Sequence, residues 1–94
     1  MEERKERAQV FYSGQVQGVG FRWMSERLAR RFLVTGWAKN LSDGRVELMV
    51  EGHGEDVRKF LQAIRDSEVG DGVLDADVNW SIATGEFKEF TIAY

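Results

Sequence analysis

Three glycines and one arginine are where this chain can do chemistry. Gly14, Gly18 and Gly20 punctuate the run Gly14-Gln15-Val16-Gln17-Gly18-Val19-Gly20-Phe21-Arg22. Upstream, Val10 and Tyr12 alternate with Gln9, Phe11 and Ser13, and downstream the apolar spacing changes to that of a helix beginning near Phe21. A glycine-rich turn between a strand and a helix N-terminus gathers backbone N–H groups around an anion, and the helix dipole adds to the attraction. Arg22 sharpens the case. A cation in the first turn opposes the dipole, so its position makes physical sense beside a bound anion. Helical side chains lean toward the N-terminus, which lets this guanidinium reach back over the loop and fork onto phosphate oxygens. Two familiar phosphate motifs are missing: no Gly-Lys-Ser/Thr follows at Walker spacing, and Trp23 stands where the dinucleotide fingerprint has its third glycine. On these residues alone a tight turn with a solvated Arg22 remains an equal alternative.

The run from Gly14 to Arg22 resembles the signature of the acylphosphatase family. Gly36-Trp37-Ala38-Lys39-Asn40-Leu41-Ser42-Asp43-Gly44-Arg45-Val46-Glu47 resembles its second conserved block. The resemblance extends from the first strand to Tyr94. It implies a hydrolase that cleaves acyl phosphates, which are carboxylic–phosphoric anhydrides, to a carboxylate and inorganic phosphate by metal-free attack of a positioned water. It maps the phosphate-binding arginine onto Arg22 and the water-orienting asparagine onto Asn40. The phosphate cradle falls on the backbone amides of Gln17, Gly18, Val19, Gly20 and Phe21. Neither metal nor cofactor is implied, and the partner is a small-molecule substrate. Taken alone, Asn40 is an ordinary residue before a turn. The chain departs from many relatives at Ala38-Lys39, at Ser42, and in the proline-free acidic segment from Glu68 to Asp77; none of these touches Arg22 or Asn40.

This chemistry suits the residue types available. The leaving carboxylate has a conjugate acid of pKa about 4, so it departs at neutral pH without a general acid. Phosphoryl transfer asks mainly for positioning and for neutralisation of charge on the equatorial oxygens. No side chain near the loop has the character of a strong general base, which leaves the substrate's phosphate or bulk solvent to take the proton.

The elements that must hold these residues follow from periodicity. A strand is expected over about Ala8 to Val16 and a helix from Phe21 to Phe32, with Phe21, Met24, Leu28 and Phe32 buried and Ala29 and Leu33 widening the stripe. Val34 to Asn40 and Arg45 to Gly52 read as a hairpin across Asp43-Gly44. A second helix is expected from Glu55 to Asp66, with Val57, Phe60, Leu61 and Ile64 on one face and Glu55 and Asp56 in its first turn. Ala76, Val78 and Trp80 alternate as one strand, and Phe90, Ile92 and Tyr94 as another. The order β-α-β-β-α-β predicts an α+β, ferredoxin-like sandwich: an antiparallel sheet, two helices on one face, and an extra C-terminal strand. Which C-terminal strand completes the central sheet stays open. The first two strands are joined through a helix and so run parallel. With one strand between them, their ends lie roughly 10 Å apart, within reach of an arginine and an amide sharing one small anion.

Composition sets the remaining bounds. Ninety-four residues make one domain over 8–94, preceded by a charged, flexible tail over 1–7. A net charge of −3 argues against a nucleic-acid partner. No apolar stretch approaches membrane-spanning length, and the charged N-terminus lacks a signal peptide's core. Zero cysteines are compatible with a reducing compartment, so a cytoplasmic monomer is expected. His53, the single histidine, specifies no metal site. Arg30 and Arg31 suit the end of the first helix and require no ligand. Trp23, Trp37 and Trp80 read as core or half-buried packing rather than base-stacking platforms. The chief rival is a non-catalytic phosphate or acyl-phosphate binding module, which would have no need of Asn40. A second rival is a detached relative of the acylphosphatase-like domain of carbamoyltransferase maturation proteins, where short length and the lack of zinc-finger cysteines disfavour a complete protein of that type; a third, an RNA-binding sheet of the same topology, is disfavoured by net charge and the absence of an RNA-recognition motif.

Overall fold

In the computed structural model, which describes residues 4–94, the chain forms seven elements. They are β1 (Lys5–Gly14), α1 (Phe21–Ala29), β2 (Val34–Asn40), β3 (Val46–His53), α2 (Gly54–Asp66), β4 (Val73–Ile82) and β5 (Phe90–Ala93), with a 3-10 turn at Glu68–Gly72. The strand order is β4-β1-β3-β2-β5. β3 lies antiparallel between β1 and β2, so the first two strands run parallel and end at the same edge, as the split arrangement requires. β4 pairs antiparallel with β1 and completes the central four strands.

The extra C-terminal strand lies at the β2 margin of the sheet. β5 pairs with β2 in parallel, from Gly36↔Phe90 to Lys39↔Ala93. Its direction follows from the path of the chain: β4 runs opposite to β2, and the return across residues 83–89 reverses it again. The sheet is therefore mixed, and the fold is ferredoxin-like with a fifth strand.

Period-two alternation places Ala8, Val10 and Tyr12 of β1 and Val46, Leu48 and Val50 of β3 on one buried face. Both helices close over that face. Phe21, Leu28 and Ala29 of α1 and Val57, Phe60 and Ile64 of α2 are buried against it. Phe60 is central, with ring centroids 6.3 Å from Phe32 and 5.4 Å from Phe90, both edge-on.

Several boundaries move. β1 begins at Lys5, so Lys5, Glu6 and Arg7 belong to the sheet rather than to a tail, paired with His53, Gly52 and Glu51. They are tolerated there because this end of the strand finds polar partners: Arg7 Nε donates to Glu51 at 2.6 Å. Residues 1–3 of the expected tail lie outside the described residues. β1 stops at Gly14 rather than Val16. α1 ends at Ala29 rather than Phe32, where N–H groups of Arg31 and Phe32 donate to the carbonyls three residues back and tighten the chain out of the helix. Leu33, expected in the stripe, is 80% exposed, because that change of path carries it off the buried face. Trp23 and Trp80 are exposed and lie beside Arg27 and Arg58 respectively; Trp37 alone of the three is half-buried. Among the described residues no helix is long and apolar enough to cross a membrane.

Candidate functional site

The loop between β1 and α1 is anchored at both ends by burial. Val16 and Phe21 are almost fully buried, and the Phe21 ring packs 4.8 Å from that of Tyr12. Between these anchors Gly18 and Gly20 take φ of 75° and 84°. This left-handed region penalises any residue with a Cβ and suits glycine. Gly20 is the N-cap of α1 and offers no side-chain cap, nor is there an acidic residue in the first turn. The helix's first N–H groups therefore keep their capacity to bind an anion.

Gln17 does more than bridge the two anchors. Its Nε2 donates to the carbonyl oxygens of Leu41, at 2.7 Å, and Arg45, at 2.9 Å. The loop is thereby tied to the hairpin turn that follows Asn40. That turn is itself closed by Leu41 N–H to the Arg45 carbonyl at 2.8 Å and by Gly44 at φ 97°. Asp43 accepts from the Arg45 N–H and guanidinium, which hold its carboxyl below the usual range, the backbone bond first.

Arg22 projects toward the C-terminus of the chain. Its Nη1 donates to the Ala93 carbonyl at 3.3 Å, and its guanidinium carbon lies 5.0 Å from the centre of the Tyr94 ring. Among the described residues one N–H is used in this way, which leaves the remaining donors of the fork to an anion.

These parts meet around one cleft of about 310 Å³ whose lining includes Gly18, Gly20, Phe21, Arg22 and Asn40. Of the residues singled out from the sequence, these five come together there. Gln17 and Val19 are not part of the lining: Gln17 spends its side chain on the hairpin, and Val19 is half exposed. Ile92 and Tyr94 also line the cleft, and sequence reasoning assigned them no role there. Nothing local marks them, since only the pairing of β5 beside β2 carries them to the site. His53 is the N-cap of α2, away from this cleft, and among the described residues no group of three His, Cys, Asp or Glu side chains is placed to hold a metal.

The acylphosphatase family model matches residues 8–92. An acylphosphatase from Roseiflexus sp. is 42% identical over 94% of this chain and 95% of its own length. One from Pyrobaculum aerophilum is 45% identical over 92% of each. The crystal structure of the acylphosphatase from Bacillus subtilis superposes with a TM-score of 0.84 at 32% identity, covering 95% of this chain and 99% of that one. With a matching family model over nearly its whole length and relatives of this similarity, the chain belongs to the acylphosphatase family.

Proposed function

We propose that this protein is an acylphosphatase, hydrolysing an acyl phosphate to a carboxylate and inorganic phosphate. The observation that carries the reading is the convergence of Arg22, the uncapped N-terminus of α1 and Asn40 on one small cleft.

In the mechanism we infer, the phosphoryl group of the substrate sits over the loop. Backbone N–H groups from Gln17 to Phe21 and the Arg22 fork bind its equatorial oxygens. These donors face the charge that persists in a loose, metaphosphate-like transition state, and they are fixed before the substrate arrives. Support for that rigidity comes from the buried anchors Val16 and Phe21 and from the Gln17 bonds to the hairpin. The Asn40 amide holds water in line with the breaking P–O bond. Water attacks phosphorus, the P–O bond to the acyl group breaks, and the carboxylate leaves with the electron pair. The water's proton passes to the phosphate or to solvent. Since the leaving group is already a weak base, the reaction requires neither a general acid nor a cofactor.

Every residue of this site comes from one chain, so a monomer suffices as the catalytic unit. A cysteine-free chain suits the cytoplasm, which is the compartment we infer. The test is hydrolysis of benzoyl phosphate by the purified protein with a chelator present. Turnover that resists chelation and disappears in Asn40→Ala supports the reading. Phosphate binding without turnover above the spontaneous rate would make the chain a binding module instead.

A further inference from the structure

A second concavity lies between α2 and β4 and shares no lining residue with the cleft at Arg22. It is a groove of about 660 Å³, within the size range of small-molecule sites. Arg58, Leu61, Gln62 and Arg65 form its α2 wall, because positions i, i+3, i+4 and i+7 share one helix face. Its β4 wall carries Ala76, Val78 and Trp80. These stand opposite Tyr12, Val10 and Ala8, which are buried beneath the helices, and so project to the same face.

The polar groups of this groove are poised for a ligand. Tyr12 lines it with only 6% of its surface exposed. The Tyr12 hydroxyl has no hydrogen-bond partner among the described residues, yet none of their sealed polar side-chain atoms is left unpaired. It therefore opens onto the groove with a proton to donate. Burial pushes the phenol's pKa up and keeps that proton on, against the opposing charge of Arg65. The Arg65 guanidinium has no ion-pair partner among the described residues. Arg58 stands two helical turns away and is engaged, 3.6 Å from Glu6 Oε2 and 5.9 Å from the centre of the Trp80 ring. Asp75 is the acid of the lining, but it pairs with Ser13 and alternates with Ala76, so its side chain belongs to the opposite face of the sheet. In a chain of net charge −3, this groove is locally cationic.

We propose that the groove binds an apolar monocarboxylate, with its head at Arg65 and the Tyr12 hydroxyl and its hydrocarbon chain along β4 toward Trp80. A guanidinium fork matches the two oxygens of a carboxylate, and the phenol adds a further donor. The walls set the shape of the rest. From Ala76, opposite Tyr12, to Trp80 the strand advances about 13 Å, a path for an extended chain rather than a compact body. Val78 and Trp80 are 36% and 42% exposed, apolar surface that such a chain would cover.

Titration with sodium decanoate below its micellar concentration, followed by calorimetry and by amide chemical shifts, tests the proposal. Saturable binding of one equivalent is expected, with the amide signals of Leu61, Ala76 and Val78 moving. Arg65→Gln changes an exposed side chain and should weaken binding about tenfold, and Tyr12→Phe, which keeps the ring in the core, about fivefold. Decanol carries the same chain without the charge and should bind about tenfold more weakly than decanoate. A carboxylate could instead enter the cleft at Arg22, so Arg22→Ala is the control and should bind decanoate as the parent does. Absence of saturable binding, full affinity in Arg65→Gln or Tyr12→Phe, equal affinity for decanol, or loss of binding in Arg22→Ala would each overturn the proposal.

Discussion

Gln17 stands in the glycine loop and Leu41 in the hairpin turn, and a 2.7 Å hydrogen bond from the Gln17 amide to the Leu41 carbonyl joins the two halves of the cleft. The glycine loop and the strand end bearing Asn40 are otherwise separate pieces of chain. Gln17→Ala removes this bond and its companion to Arg45. We expect kcat/KM to fall about tenfold, corresponding to about 1.4 kcal/mol, because a cradle and a water held in imprecise relation lose catalytic positioning. Global stability should change by no more than about 1 kcal/mol, as the bonds lie at the surface. Steady-state kinetics beside thermal unfolding separates the two effects.

Arg22 and Asn40 are assigned different tasks, and single variants should divide them. Arg22→Ala should abolish inorganic phosphate binding by calorimetry together with turnover. Arg22→Lys should recover only part of either, since an ammonium lacks the planar fork. Asn40→Ala should bind phosphate as the parent does, yet lose about a hundredfold or more in kcat, in line with removal of one preorganised donor. Equal loss of phosphate binding in both alanine variants would refute the division.

Gly20 caps α1 with φ 84°, and a Cβ there would meet no atom within 4 Å. The cost of Gly20→Ala is thus conformational alone, about 1–2 kcal/mol. Relief of that strain would turn the helix's first N–H groups away from the cleft. A larger loss in phosphate affinity than in stability is the expected outcome, read by calorimetric titration and chemical denaturation.

Glu51 gives the fold an acid limit. It is almost fully buried, and burial alone would raise its carboxyl pKa. The N–H of Thr84, the Arg7 guanidinium, the N–H of Gly85 and the Thr84 hydroxyl more than offset this and hold it below its ordinary value of 4.5. A depressed folded-state pKa stabilises the protein above the unfolded-state value, and the contribution is lost as pH falls through the folded value. The denaturation midpoint should therefore decline below about pH 4.5. Glu51→Gln should flatten that decline and lower stability at pH 7 by about 2 kcal/mol.

The glycine loop, the start of α1 at Phe21, the hairpin at Asp43-Gly44 and the bounds of β2 were all legible in the sequence. Each depends on local chemistry: positive-φ glycines, side-chain period and turn residues act within a few positions. The family resemblance rested on the same stretches, and the family it names is the one the chain belongs to. What the sequence could not show was whatever depends on the ladder. The ladder partners of Lys5, Glu6 and Arg7, the exposure of Trp80, and the arrival of Ala93 and Tyr94 beside Arg22 all depend on residues far apart in the chain. By itself, then, the sequence determined a glycine-rich turn and the helix that follows it. Tertiary structure alone decided what stands around that loop, because strand order and direction are chosen by closing distant segments over a common core, and no local pattern encodes that choice.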